Sequence, residues 1–171
     1  MKYLYKYINK KDLPYAIIAI LLGCLNHFLY QLSKGAAIAA LFCPVNESTW
    51  EHLKLLFFPF LFVSVCQYIR CRPQALRFFY YRFLAVFCGM LSIIALFYTY
   101  TGVIGQDFVV IDILIFVFSI LFSFFMSSFF ERKKWAIPSQ TVVFSLWILV
   151  SICFFTFTCY PPGIPLFFSP L

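Results

Sequence analysis

Pro44-Val45-Asn46-Glu47-Ser48-Thr49-Trp50-Glu51-His52-Leu53-Lys54 is a polar interruption in a chain that is apolar almost everywhere else. It holds two of the six acids, one of the two histidines and one of the three tryptophans. Ser48-Thr49-Trp50-Glu51 has the spacing of a capping box, so a helix is expected to start at Ser48. That helix runs through apolar sequence to about Tyr68, with Pro59 expected to kink it. On the other side, Gly35 to Cys43 (GAAIAALFC) is too short to cross a bilayer and too apolar for an ordinary loop. It reads as a short re-entrant or interfacial helix that Pro44 ends. Polar groups so close to hydrocarbon are costly and usually functional, so the stretch reads as the mouth of a polar pocket in the outer leaflet.

The rest of the chain fixes the class. Of 171 residues 64% are hydrophobic and 11% charged, and the mean hydropathy is +0.94. That composition belongs to an integral membrane protein, with the lipid bilayer as its surroundings. Since no segment alternates polar and apolar residues as a barrel strand would, the spans are helices. The expected fold is all-α: a single domain of five transmembrane helices plus the short re-entrant or interfacial helix. The expected spans are Pro14 to Lys34, Ser48 to Tyr68, Phe79 to Thr101, Asp107 to just before Glu131, and Pro138 to Tyr160. Asp12 and Asp107 are the expected N-caps of the first and fourth spans. The tail from Tyr160 to Leu171, with four prolines, cannot be regular helix.

A net charge of +7 is compatible with a nucleic-acid partner, but the cations are placed otherwise. Eleven of the thirteen Lys and Arg fall in three clusters beside the spans, at Lys2 to Lys11, Arg70 to Arg82 and Arg132 to Lys134. This is a topology signal that puts the N-terminus inside and the C-terminus outside, in the cell membrane, with no nucleic-acid partner. The seven cysteines are scattered singly without a C-x-x-C pair.

Both histidines and four of the acids then belong to the outer half of the molecule. Cys24, His27, Gln31 and Lys34 share one face of the first span. His27 lies about 10 Å below the end of that span at about 1.5 Å per residue. The candidate catalytic residues are His27, Glu47, Glu51 and His52, with Asp112 as an orienter; Tyr30, Asn46, Trp50 and Lys54 are the candidate substrate-binding residues. Two imidazoles with carboxylates can hold a zinc-like ion or can act as a metal-free general base, and the spacing does not choose between them. Each residue also has a plain structural reading: Glu51 as half of a capping box, Trp50 as an interfacial anchor, Lys54 as a partner for Glu51.

Asn26-His27-Phe28-x-Tyr30, then Pro44-Val45-Asn46-Glu47-Ser48-x-Trp50-Glu51-His52-Leu53-Lys54, then Pro161-Pro162-x-x-Pro165-Leu166-Phe167 resembles a family of small uncharacterised bacterial multi-pass membrane proteins. The resemblance covers most of the chain and implies bacterial origin and about five spans. No reaction follows from it.

Three readings of the pocket remain. It serves a membrane hydrolase or transferase acting on a lipid or lipid-linked group, it binds or transports an ion or small solute, or it only fastens the helices of an accessory subunit. A pocket open sideways to lipid favours the first, one continuing past Pro59 the second, and one filled by its own hydrogen bonds the third.

Overall fold

The computed structural model describes residues 9–133 and 135–169. Five helices are long and apolar enough to cross a membrane: α1 (Leu13–Leu32), α3 (Thr49–Cys71), α4 (Ala75–Ile104), α5 (Val109–Lys133) and α6 (Gln140–Cys159). Between α1 and α3 lies the short α2 (Ala37–Phe42), and a 3₁₀ turn (Pro165–Phe167) follows α6. No strand occurs among the described residues, so the chain is an all-α membrane protein with the expected element order. Of the expected basic clusters, Lys2, Lys6 and Lys134 lie outside the described residues.

The bundle is built around α3. Fully 56% of its most apolar window is buried, against 17–33% in the other spans, whose outward faces suit lipid. Its start follows the sequence: Ser48 Oγ accepts from the Glu51 N–H at 3.3 Å. The reciprocal half of the capping box is missing, because the Ser48 N–H donates to Asn46 Oδ1 and the Glu51 carboxylate points elsewhere. Pro59 sits inside α3, and Arg72 closes the helix in the left-handed region (φ 47°) just before Pro73. Gly105 ends α4 at φ 83°, where a residue without Cβ avoids strain.

Close approach between helices depends on small residues. A Cβ added at Gly89 of α4 would meet Ser123 Oγ of α5 at 2.0 Å. One at Gly23 of α1 would meet Phe116 Cζ at 2.4 Å and the Leu55 carbonyl oxygen at 2.6 Å.

Two expectations need correction at the end of the bundle where α1 begins. Asp12 occupies the N-cap position of α1, but its carboxylate caps nothing. It accepts instead from Arg82 Nη2 at 2.8 Å and from Gln67 Nε2 at 2.6 Å. Arg82, expected in an exposed basic cluster, is 2% exposed. The reason is the early start of α4, at Ala75 rather than near Phe79, which carries Arg82 inward among the rings of Phe60, Phe78 and Phe124. Its Nε and Nη1 find no acceptor among the described residues and face these π-systems. Likewise Asp107 does not begin α5; the helix starts at Val109, with the Phe108 carbonyl accepting its first bonds.

Candidate functional site

At the opposite end of the bundle the polar stretch separates into two groups, because successive residues on a helix point about 100° apart. Glu51 turns one way around α3 and His52 the other.

Glu51 is 2% exposed and Lys54 is fully buried. Lys54 Nζ donates to Glu51 Oε2 at 2.7 Å, which also accepts the Val45 N–H at 3.0 Å, while Thr158 of α6 donates to Oε1 at 2.9 Å. The same ammonium donates to the carbonyls of Ala40 (2.9 Å) and Cys43 (3.3 Å). Asn26 Nδ2 takes the Phe42 carbonyl at 2.8 Å, and the Cys43 thiol donates to Asn26 Oδ1 at 2.9 Å. Burial holds that thiol's pKa above its ordinary value, against the opposing pull of Lys54, so it stays a donor. These bonds satisfy carbonyls at the end of α2, and a non-spanning segment at membrane depth needs such partners.

His52 faces the other way, toward α1. Its Nε2 lies 3.3 Å from Glu47 Oε2, and His27 Nε2 lies 3.7 Å from the same oxygen. The two imidazole centroids are 5.4 Å apart. His52 Nδ1 is 2.9 Å from the Ser48 carbonyl, an acceptor only, so Nδ1 carries the proton and a neutral ring presents a bare lone pair at Nε2. The three donor atoms of His27, Glu47 and His52 lie within 4.8 Å of one another, close enough for one metal ion.

These three side chains sit on the wall of a cavity of about 600 Å³ between α1, α3, α4 and α5. Its floor is Gly23, Leu55, Ile93 and Phe116, so on α3 it stops short of Pro59. Cys24 and Phe28 on α1, with Val109 and Ile113 on α5, both line the cavity and are exposed, which leaves it open between those two helices. Asp107, Asp112 and Ser169 complete the polar wall; no Lys or Arg lines the cavity among the described residues. Asp112 accepts a short hydrogen bond from Tyr100, whose hydroxyl oxygen accepts the Phe108 N–H at 3.2 Å.

Of the candidate residues, the fold thus brings His27, Glu47, His52 and Asp112 to one cavity. Glu51, Tyr30, Asn46, Trp50 and Lys54 are not among the residues lining it. Trp50 packs between Phe154 (4.8 Å) and Phe167 of the 3₁₀ turn (4.9 Å). Asn46 orders the loop through the Ser48 N–H, and the Tyr30 carbonyl accepts from the Gly35 N–H where the chain turns at φ 76°. Asp107, expected as a helix cap and as one of the outer-half acids, also lines the cavity, and Tyr100 reaches it through Asp112.

No curated protein and no solved structure matches the chain. Residues 1–171 do match one family throughout, so this multi-pass protein, with its histidine pair and carboxylate beside an apolar cavity, belongs to the family of unknown function DUF6512.

Proposed function

We propose that the chain is a membrane hydrolase or transferase that acts on a lipid or lipid-linked substrate at the outer leaflet. One observation carries the reading: His27, Glu47 and His52 stand on the wall of an apolar cavity that opens between α1 and α5 at the depth of the spans. Cys24 lies eight residues before the end of α1, so at about 1.5 Å per residue the opening reaches roughly 12 Å below that end. A lipid tail enters such an opening from the bilayer without crossing water. The trio then meets the polar end of the same molecule, where two imidazoles and a carboxylate move a proton or hold an activated water. Asp112, held by Tyr100, is the orienting carboxylate on the α5 side of the same cavity. With three acids and no Lys or Arg lining the cavity among the described residues, an uncharged head group such as an acyl ester fits better than a bare phosphate.

A closed floor short of Pro59 counts against a through-path for solutes. The hydrogen bonds that fasten helices belong to Glu51 and Lys54, behind the cavity.

The test is release of product from fluorescent acyl-ester lipids by the protein in proteoliposomes. His27→Ala and Glu47→Gln should each lower turnover by about 10²–10⁴-fold, the usual worth of a positioned acid or base. Arg77→Gln, at the other end of the bundle, should keep it. Wild-type rates in the His27→Ala protein would overturn the reading.

A further inference from the structure

We infer that His27 Nε2, Glu47 Oε2 and His52 Nε2 together hold one divalent cation of the zinc class, leaving a coordination position open to the cavity.

The distances are the first argument. At 3.7 Å, His27 Nε2 and Glu47 Oε2 are too far apart for a hydrogen bond, and 3.3 Å between His52 Nε2 and the same oxygen is long for a charge-assisted one. Ligands bound at about 2.0–2.1 Å in a tetrahedron stand about 3.3 Å from one another. The two separations lie at or just above that edge, and all three donor atoms fall within 4.8 Å of one another. Glu47 comes from a loop and its side chain is 63% exposed, so it is free to close the remaining gap.

The second argument is the orientation of His52. The Ser48 carbonyl accepts from Nδ1 at 2.9 Å and thereby turns Nε2, the nitrogen left for a ligand, toward Glu47. A backbone carbonyl on the far nitrogen is the usual outer partner of a metal-bound histidine. A proton could bridge His52 and Glu47, yet it would leave His27 outside the arrangement.

The donor set decides the ion. Two imidazole nitrogens and one carboxylate oxygen suit zinc and its first-row neighbours, whereas calcium and magnesium require shells of oxygen. Three protein ligands facing a cavity are the pattern of catalytic zinc, in which the fourth position takes water or a substrate oxygen. The cation deepens the function proposed above and rests on its assignment of this trio, although binding the ion requires no turnover.

The experiment uses the full chain purified in detergent, stripped with chelator, reloaded with zinc and freed of excess by gel filtration. Elemental analysis should give one zinc per chain, and the cobalt(II)-loaded protein should show the visible absorption of a four-coordinate site. Outer-shell partners alone are worth about 10–100-fold in affinity, so removing a ligand should weaken zinc binding by at least about 100-fold. His52→Gln and His27→Gln, near the native size, should show that loss while eluting as the folded wild type does; Arg77→Gln should bind zinc normally. Wild-type zinc affinity in His52→Gln, or no zinc retained by the folded wild-type chain, overturns the inference. Ester turnover by a folded protein that retains no zinc leaves the hydrolase standing while the inference falls. One zinc per chain with no turnover of any acyl ester upholds it, while the hydrolase reading falls.

Discussion

Lys54 and Glu51, three residues apart on α3, form an ion pair at 2.7 Å whose ammonium also caps the end of α2 through the Ala40 and Cys43 carbonyls. Three segments are thus tied at one charge, and removing either partner leaves the other buried and unpaired. Lys54→Met or Glu51→Gln should each cost about 3–5 kcal/mol, seen as a large fall in thermal midpoint in detergent. The double variant Glu51→Leu with Lys54→Met should recover part of the loss. A midpoint unchanged in Lys54→Met would refute the structural role.

Arg82 and Asp12 make the corresponding prediction at the other end of the bundle. Arg82 lies 4.6 Å from the Phe124 ring centre and donates to Asp12 and Gln67 through one nitrogen. Arg82→Met should destabilise by about 3–5 kcal/mol, and Asp12→Asn, which keeps an acceptor, by less. Equal midpoints for wild type and Arg82→Met would count against the pair's importance.

Gly23 and Gly89 should respond differently to alanine. At Gly23 the new methyl meets a backbone carbonyl, Leu55 O at 2.6 Å, which cannot step aside; at Gly89 its nearest neighbour is the rotatable Ser123 hydroxyl. Gly23→Ala should therefore cost about 1–3 kcal/mol, the range for overpacking, and more than Gly89→Ala. The reverse order in thermal unfolding would show that α1 yields more readily than its contacts suggest.

The five spans were legible because their mean hydropathies of 1.5–2.7 leave little alternative to a bilayer helix. The meeting of His27 with Glu47 and His52 was legible too, since consecutive helices joined by small residues pack as neighbours and both histidines lie near one depth. What the sequence hid was direction. Glu51 and His52 are adjacent, and no local rule says which of them faces α6 and which the cavity. Arg82 was hidden for another reason. By count it is the last member of the Arg70 to Arg82 cluster, and only the packing of α1 and α3 against α4 reveals a buried partner 70 positions away.

Membrane orientation remains a prediction from the charges. In a cysteine-free background, Ser169→Cys should react with an impermeant maleimide in intact cells, whereas Arg132→Cys should react only after permeabilisation. The opposite labelling would invert the topology and move the cavity to the inner leaflet.

His27, Glu47 and His52 all come from the hairpin formed by α1, α2 and α3, whereas the facing wall of Asp107, Asp112 and Phe116 arrives with the next pair of helices. During synthesis the histidines and their carboxylate therefore reach the membrane well before the chamber they serve has a second side. Were the proposed ion captured at that stage, it would sit in a nascent hairpin before α5 arrived. Order of emergence from the ribosome thus gives loading a window that precedes enclosure.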